Sequence, residues 1–375
     1  MNLFPAIDPI PLPAPVWLFK GLHILTLSLH FIAVEMLLGG LLVAVWLNFR
    51  GASRRHEPAG LLRLNASAAI ARRLPIVMTY VINLGVPPLL FAQVLYGRAL
   101  YTSSVLIGVY WISVVFLLMA CYWLLYRFAA GTETGRAVWW RGLLAWVLAG
   151  AIARILSTNM TLMLRPEVWQ DMYAASASGI HLPTGDPTLL PRWLFMLAGG
   201  FWVAGLWMVW LASRKAFDPP VKSYLAATGG RLAAVMIAVQ AALGLWVFQA
   251  QPAAVKTALG GNALYSAAGF AWLAAAVAVL GFAAWAAVKK PAARGAGYVA
   301  LLLTFMVMLA MTTYRDGIRD LTLLGKGFDV WQQDWVANWS VLILFFVAFV
   351  AGLGAVAWLI WVMRRAKPVS ENVAS

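Results

Sequence analysis

The chain has 375 residues, of which 63% are hydrophobic and 11% are charged, and it contains 20 tryptophans. This composition excludes an ordinary soluble domain and predicts a protein that crosses a membrane several times. The formal net charge of +15 does not indicate nucleic-acid binding, because the basic residues fall in short segments between apolar runs, where they record topology. The single cysteine, Cys121, excludes a Cys-x-x-Cys-His attachment, so we expect no covalent haem c in this chain.

Nine apolar stretches are long enough to span a bilayer, which takes about 20 helical residues. They predict an all-α polytopic membrane protein folded as a single transmembrane domain over residues 1–375. The predicted spans lie near residues 16–48, 75–97, 101–126, 137–163, 190–213, 229–250, 266–288, 295–314 and 338–363.

The charges between these stretches predict an orientation. Basic residues follow the first, third, fifth, seventh and ninth stretches, with examples at Arg54, Arg127, Lys215, Lys289 and Arg365. The intervening segments are short or balanced in charge. Because basic loops stay in the cytoplasm, nine spans place the N-terminus outside and the C-terminus inside.

Two of the four histidines, His23 and His30, fall on the first predicted span. Seven residues turn a helix through roughly 700°, so the two side chains nearly eclipse, about 10.5 Å apart along the axis. Intramembrane histidines usually face the interior of the bundle and serve a site. Imidazole is a common ligand of haem iron, so one interpretation is that the pair holds one or two b-type haems. The alternative is that each ring is hydrogen-bonded to a neighbouring helix.

Two further ionisable residues lie inside predicted spans, Glu35 in the first and Arg154 in the fourth. Each is costly to bury and should face a partner, a cavity or a cofactor. Arg154 could pair with Glu35 or with a haem propionate. His56 lies in a basic cytoplasmic segment and is expected to be solvated.

Two predicted outer loops are long enough to contact a partner protein. They run from Arg165 to Arg192 and from Arg315 to Asn338. His181, in the first loop, is interpreted as a surface or partner-contact residue. In the second span, Pro87 and Pro88 predict a kink, because proline cannot donate the helical hydrogen bond.

Several local strings, in this order and topology, resemble subunit I of the cytochrome bd quinol oxidases over about the first 260 residues. They are the first span from His23 to Trp46, the stretch from Asn83 through Gln93 to Gly108, the end of the fourth span from Asn159 to Pro166, and the pair Gln251-Pro252. The resemblance implies a multi-pass protein of the bacterial cytoplasmic (inner) membrane. It also implies that His23 occupies the place of a haem ligand.

The chain also departs from that family. No acidic residue occurs between Val109 and Tyr122, where the family carries two glutamates. Met196 stands where a haem-ligating histidine is expected, and residues 271–277 lack the expected arginine and methionine. The family's Gly-Arg-Gln-Pro-Trp string is missing as well. These differences imply a divergent relative that does not itself reduce oxygen.

The first hypothesis is therefore a membrane electron-transfer subunit of a respiratory complex, an oxidoreductase component. It would bind b-type haem through His23 and His30, with Arg154 near the cofactor. Other respiratory subunits, with c-type cytochromes at the outer loops, would be its partners, and a quinone is a further candidate although its motif is missing. The second hypothesis is a haem-free anchor or assembly subunit. The third is an ion or solute conduit around Glu35 and Arg154.

Overall fold

A computed structural model describes residues 4–6, 10–180, 183 and 185–365 of the chain. Within these ranges the protein is helical and contains no strand. The helices are α1 Val16–Ala52, α2 Pro58–Ala71, α3 Leu74–Leu106, α4 Gly108–Glu133, α5 Trp139–Leu162, α6 Trp169–Ala175, α7 Leu189–Ala212, α8 Pro219–Gln249, α9 Ala253–Gly261, α10 Ala263–Lys289, α11 Arg294–Leu324 and α12 Trp339–Arg365.

The long helices α1, α3, α4, α5, α7, α8, α10 and α11 alternate in direction along the bundle axis. His30 of α1 contacts Val81 of α3, whereas Lys20, earlier in α1, contacts Tyr96, later in α3. The two helices are therefore antiparallel. We call the two ends of the bundle the Val16 end, where α1 begins, and the Ala52 end, where α1 finishes.

Eight helical segments are long and apolar enough to cross a membrane among the described residues, which confirms a polytopic all-α membrane protein. The ninth predicted span falls on α12, whose apolar part within the described residues is Trp339–Gly352. The ninth crossing and the orientation of the chain stay predictions. The predicted basic loop after the first span contains α2, which begins with Pro58 at its first position, where a missing N–H costs nothing.

Several predicted boundaries are wrong. The helix of the third span begins at Gly108 rather than at residue 101, and the helix of the sixth begins at Pro219 rather than at residue 229. The second span does not end at residue 97 but continues as α3 to Leu106, because Arg98 donates a hydrogen bond to the carbonyl of Pro5 without interrupting the helix. The eighth span does not end at residue 314, since α11 runs to Leu324. Much of the predicted outer loop from Arg315 to Asn338 is therefore helix. The residues that lowered its hydropathy are buried against other helices.

Helix α3 also contains the two prolines that predict a kink. Helix α3 continues through Pro87 and Pro88, and the residue with non-helical dihedrals inside it is Tyr96 (φ −127°, ψ 21°). Bending of a helix near prolines is expected because carbonyls one turn earlier lose their donors. The irregular residue is thus displaced towards the Val16 end, where Tyr96 enters the site described below.

Helices α1 and α7 approach each other closely at small residues. A side-chain carbon added at Gly39 would lie 1.8 Å from the backbone oxygen of Gly200. One added at Gly199 would lie 2.4 Å from Oε1 of Glu35. Glycine therefore brings the helices together, as in many membrane bundles, and makes room for a buried carboxyl group between them.

A candidate site formed by a charged cluster and a cavity

Three charged residues of α11 form an ion cluster with α1 at the Val16 end. Asp316, Arg319 and Asp320 are spaced three and four apart, which places them on one face of the helix. The ammonium group of Lys20 donates hydrogen bonds to both carboxylate oxygens of Asp320, at 2.8 and 2.7 Å, and also forms an ion pair with Asp316. All four residues are 5% exposed or less, so each charge depends on its partners rather than on water.

Aromatic side chains complete this cluster, which we call the Lys20 cluster. The Tyr96 hydroxyl accepts from Lys20 at 2.7 Å and donates to Asp320 at 2.7 Å. The Tyr265 hydroxyl donates to Asp320 at 2.9 Å, and the Trp331 indole donates to it at 3.1 Å. These bonds join α1, α3, α10, α11 and the turn around Trp331. Oδ2 of Asp316 has no hydrogen bond among the described residues but forms the ion pair with Lys20. A densely paired polar network of this kind fixes the relative positions of its helices.

His23 links the Lys20 cluster to α3. Its Nε2 lies 2.9 Å from Nη1 of Arg319, and its Nδ1 lies 3.0 Å from the carbonyl oxygen of Pro88. Because a guanidinium can only donate, Nε2 accepts and Nδ1–H donates to the carbonyl. Both ring nitrogens of His23 are therefore engaged by protein groups.

His30 makes a similar contact about two helical turns further along α1. Its Nδ1 lies 3.1 Å from the carbonyl oxygen of Val81, which can only accept, so Nδ1–H donates. The ring packs so closely on Gly85 that a side-chain carbon there would lie 2.9 Å from it. Both histidines thus hydrogen-bond α1 to the proline-containing part of α3. This is the arrangement expected under the alternative interpretation, in which each ring is bonded to a neighbouring helix.

A cavity of about 570 Å³ lies beside the Lys20 cluster, in the half of the bundle towards the Val16 end. Helices α1, α5, α7, α8, α9, α10 and α11 contribute its walls. The walls are predominantly apolar, with aromatic rings from Phe31, Phe195, Phe248 and Trp272. Size and lining match those of cavities that bury most of a small organic molecule.

Four basic side chains line this largely apolar cavity: Arg192, Lys256, Arg315 and Arg319. Arg319 is compensated by its place in the Lys20 cluster. The other three form no ion pair with any carboxylate in the described part of the chain. Arg192 donates to Gln251 at 3.3 Å, and the guanidinium of Arg315 packs over the ring of Phe31 at 5.4 Å. The cavity therefore presents excess positive charge.

Two buried polar groups facing the cavity lack a partner. Oε2 of Glu35 and Nε1 of Trp272 are inaccessible and have no hydrogen bond to any residue that the structure describes. Both residues line the cavity, and Glu35 is only 3% exposed. A buried polar group without a partner costs about 1–3 kcal/mol. Because both atoms are closed to water, a small side-chain movement would have to open them before a bound molecule could pair with them.

The other predicted residues lie apart from this site. Arg154 donates from Nη1 to the hydroxyl of Thr158 at 2.7 Å and forms no ion pair with Glu35. His56 is exposed, as predicted, and accepts a hydrogen bond from Arg55 at 3.3 Å. His181 lies outside the described residues.

The sequence pattern does not single out Lys20, Tyr96 or the three charged residues of α11. Lys20 stands near the start of an apolar run, and hydropathy predicts a loop for the α11 residues. One signal was available: the spacing of Asp316, Arg319 and Asp320 is helical. A second was that a lysine in an apolar helix requires a carboxylate partner.

The walls and basic residues of the cavity suit a b-type haem, but the two histidines are not placed to ligate its iron. The apolar walls suit a macrocycle, and Arg192, Arg315 and Lys256 suit its propionates. However, neither His23 nor His30 lines the cavity, and Nε2 of His23 already accepts from Arg319. Iron ligation by His23 would require Arg319 to move, so the arrangement does not fit that ligand role as it stands. The haem assignment of the two histidines stays a prediction.

Outside the spans, one ion pair ties two segments of the Val16 end together. Lys326, just after α11, hydrogen-bonds Glu167 in the short turn Pro166–Val168. Partial burial opposes ionisation of Glu167, but the hydrogen bonds from Lys326 and from its own backbone N–H, together with the charges of Lys326 and Arg165, outweigh burial and hold the pKa of the carboxyl below its ordinary value. At 45% exposure of Glu167, solvent screens this pair.

Comparisons of the chain with protein-family models and with curated proteins find no match.

Proposed function

We propose that this chain is a membrane subunit that binds a lipophilic molecule with an anionic group in its cavity, as a component of a respiratory electron-transfer complex. The observation that carries the binding proposal is Arg315. Its guanidinium lines an apolar cavity and has no carboxylate partner in the described ranges. An unpaired charge in such a place is costly, and a bound anion would remove the cost.

The remaining polar groups of the cavity narrow the chemistry of the ligand. The Trp272 N–H would donate a hydrogen bond to the ligand, and the Glu35 carboxyl would receive one or, if protonated, donate one. The aromatic and aliphatic walls would cover the apolar body. A molecule with a large apolar part, an acidic group and at least one further polar substituent satisfies all of these groups.

The electron-transfer role rests on the resemblance to the cytochrome bd family and on the predicted topology. Under that topology the Val16 end is the outer end of the bundle in a bacterial cytoplasmic membrane. The cavity would then lie in the outer half of the bilayer, within reach of c-type cytochromes and other respiratory subunits. A b-type haem, through its propionates, is one molecule with the proposed chemistry.

A second candidate function is a haem-free anchor or assembly subunit, in which the cavity holds a colourless lipid. The observation that favours it is the complete engagement of His23 by Arg319 and Pro88. An ion or solute conduit, in contrast, stays a prediction without a specific contact to support it, because Glu35 and Arg154 do not pair.

The test is to purify the full chain in mild detergent, record reduced-minus-oxidised visible spectra, and identify retained molecules by mass spectrometry of an organic extract. We expect about one anionic lipophilic molecule per chain. In Arg315→Met, loss of a charge-assisted hydrogen bond of about 1.5–3 kcal/mol should weaken retention by roughly ten- to a hundredfold. Arg231→Met, which alters an exposed arginine of α8 away from the cavity, is the matched control.

The retained molecule decides between the two functions. A b-type haem at one per chain supports the electron-transfer subunit, whereas a colourless anionic lipid supports the haem-free subunit. If the extract contains no such molecule, or if Arg315→Met retains as much as the control, binding in this cavity is wrong.

A further inference from the structure

Exposed residues of the cavity wall are confined to one side of the bundle. Leu245 of α8 and Phe270 and Leu273 of α10 line the cavity and are 58%, 73% and 49% exposed. Gly260, in α9 between them, is exposed as well. The lining residues of α1, α5, α7 and α11 are all buried or half-buried. The cavity therefore reaches the surface between α8 and α10.

The same two helices are in tight contact further along. A side-chain carbon at Gly230 of α8 would lie 2.5 Å from the backbone nitrogen of Ala287 and 2.6 Å from the backbone oxygen of Ala283, both on α10. Gly230 precedes Leu245 by fifteen residues, about 22 Å along a helix. The opening is thus restricted to the half of the bundle towards the Val16 end, and α8 and α10 are closed below it.

The surface around this opening is apolar and belongs to membrane-spanning helices. Leu245, Phe270 and Leu273 are all hydrocarbon side chains, and α8 and α10 each qualify as membrane spans. Exposed apolar side chains on such helices face lipid. An opening rimmed by them leads into the bilayer, where apolar chains are stable and free aqueous anions are not.

From this geometry, and resting on the proposed function, we propose that the ligand enters the cavity sideways from the bilayer, between α8 and α10. It is a membrane-dissolved amphiphile with a hydrocarbon tail. Its anionic head reaches Arg315 and Arg192 inside, and its tail occupies the opening beside Phe270. The positive charge of the cavity selects anionic over zwitterionic amphiphiles of the same tail.

The test uses the full chain reconstituted in liposomes that contain radiolabelled phosphatidylglycerol or, in parallel, radiolabelled phosphatidylcholine. Retention after transfer to detergent is measured first, and then the rate at which retained label exchanges with unlabelled lipid. Leu245→Trp and Leu273→Trp narrow the opening, and Phe270→Ala widens it. Val235→Trp and Val288→Trp add the same bulk at exposed positions of α8 and α10 that do not line the cavity.

We expect phosphatidylglycerol to be retained in preference to phosphatidylcholine. The two narrowing variants should exchange it about tenfold more slowly, the widening variant faster, and the two controls like the wild type, since such changes act mainly on release rates. Equal exchange rates in all five variants, with retention intact, overturn the lateral route but leave the binding site standing. Failure of the wild type to retain either lipid overturns the lipid ligand. If the same preparation also yields no anionic molecule in its extract, the proposed function fails with it.

Discussion

The Lys20 cluster and the cavity lie side by side in the same half of the bundle, yet the buried charges have oppositely charged partners in the cluster and lack them in the cavity. In the cluster, Lys20 has two carboxylates and a tyrosine hydroxyl as partners. In the cavity, Arg315 has an aromatic ring and no carboxylate within the described residues, and Glu35 keeps an oxygen unpaired.

The contrast separates structural polar groups from binding groups. In the cluster each charge has an opposite charge beside it, including Oδ2 of Asp316, which lacks a hydrogen bond but forms an ion pair with Lys20, and such a network holds helices in place. An unsatisfied group beside an empty volume retains its capacity for a ligand. Arg319 belongs to both regions, because it lines the cavity while contacting His23 and Asp316. It couples the shape of the cavity to the rigid cluster.

Lys20→Met should produce the largest loss of stability. It leaves Asp316 and Asp320 buried with one fewer cation, and breaking a buried ion pair costs about 3–5 kcal/mol. Arg315→Met is the comparison, because removing a cation that has no carboxylate partner leaves no buried carboxylate behind and should not lower the stability of the ligand-free protein. The midpoint of thermal unfolding in detergent measures both.

The double variant Lys20→Met/Asp320→Asn removes the carboxylate that Lys20 leaves behind and keeps Asp316 paired with Arg319, so it should recover part of the loss. If Lys20→Met unfolds at the same temperature as Arg315→Met, the distinction between a closed cluster and an open cavity is wrong.

His23→Phe should have an intermediate effect. It leaves the Pro88 carbonyl and one Arg319 donor unpaired, at about 1–3 kcal/mol for such a loss. His30→Phe is the matched variant on the same helix and removes one hydrogen bond, so its loss should be smaller. Thermal unfolding and the visible spectrum are recorded on the same samples.

The two measurements on the histidine variants separate the two interpretations of His23. Reduced stability with an unchanged pigment content supports a structural imidazole. A b-type absorption band that is present in the wild type and lost in His23→Phe contradicts it and restores the predicted haem ligand.

Much of the fold followed from hydropathy, because a span needs about 20 apolar residues wherever it occurs. The prediction failed where polar residues lie inside helices. Hydropathy alone predicts a loop for the segment from Arg315 to Asp320, although the spacing of its charges is helical. The buried charges of that segment pair with Lys20, nearly 300 residues earlier in the chain, and a local pattern does not show a contact between such distant residues.

The candidate site was predicted only in part. His23 was singled out for its position on α1, and it does contact the polar centre of the bundle. Its partners came from α3 and α11, so neither its tautomer nor its engagement could be derived from the sequence. Glu35 was recognised as costly to bury, but the cavity it faces is formed by seven helices. No local pattern encodes a space of that kind.

The exposed ion pair between Glu167 and Lys326 should give the smallest effect and serves as the solvated counterpart of the Lys20 cluster. Its contribution is expected to be below about 1 kcal/mol, because water and salt screen both charges. The pKa of Glu167 is lowered in the folded protein. The pair therefore stabilises the fold at pH values above the ordinary carboxyl pKa, and this contribution disappears as the pH falls through the lowered value.

Glu167→Gln should reduce the unfolding midpoint slightly at pH 7 in low salt. The difference from the wild type should shrink both in high salt and at acidic pH. Lys20→Met should show no comparable sensitivity to salt, since its partners are buried. A Glu167→Gln effect as large and as salt-insensitive as that of Lys20→Met would mean that burial does not determine which charges hold this bundle together.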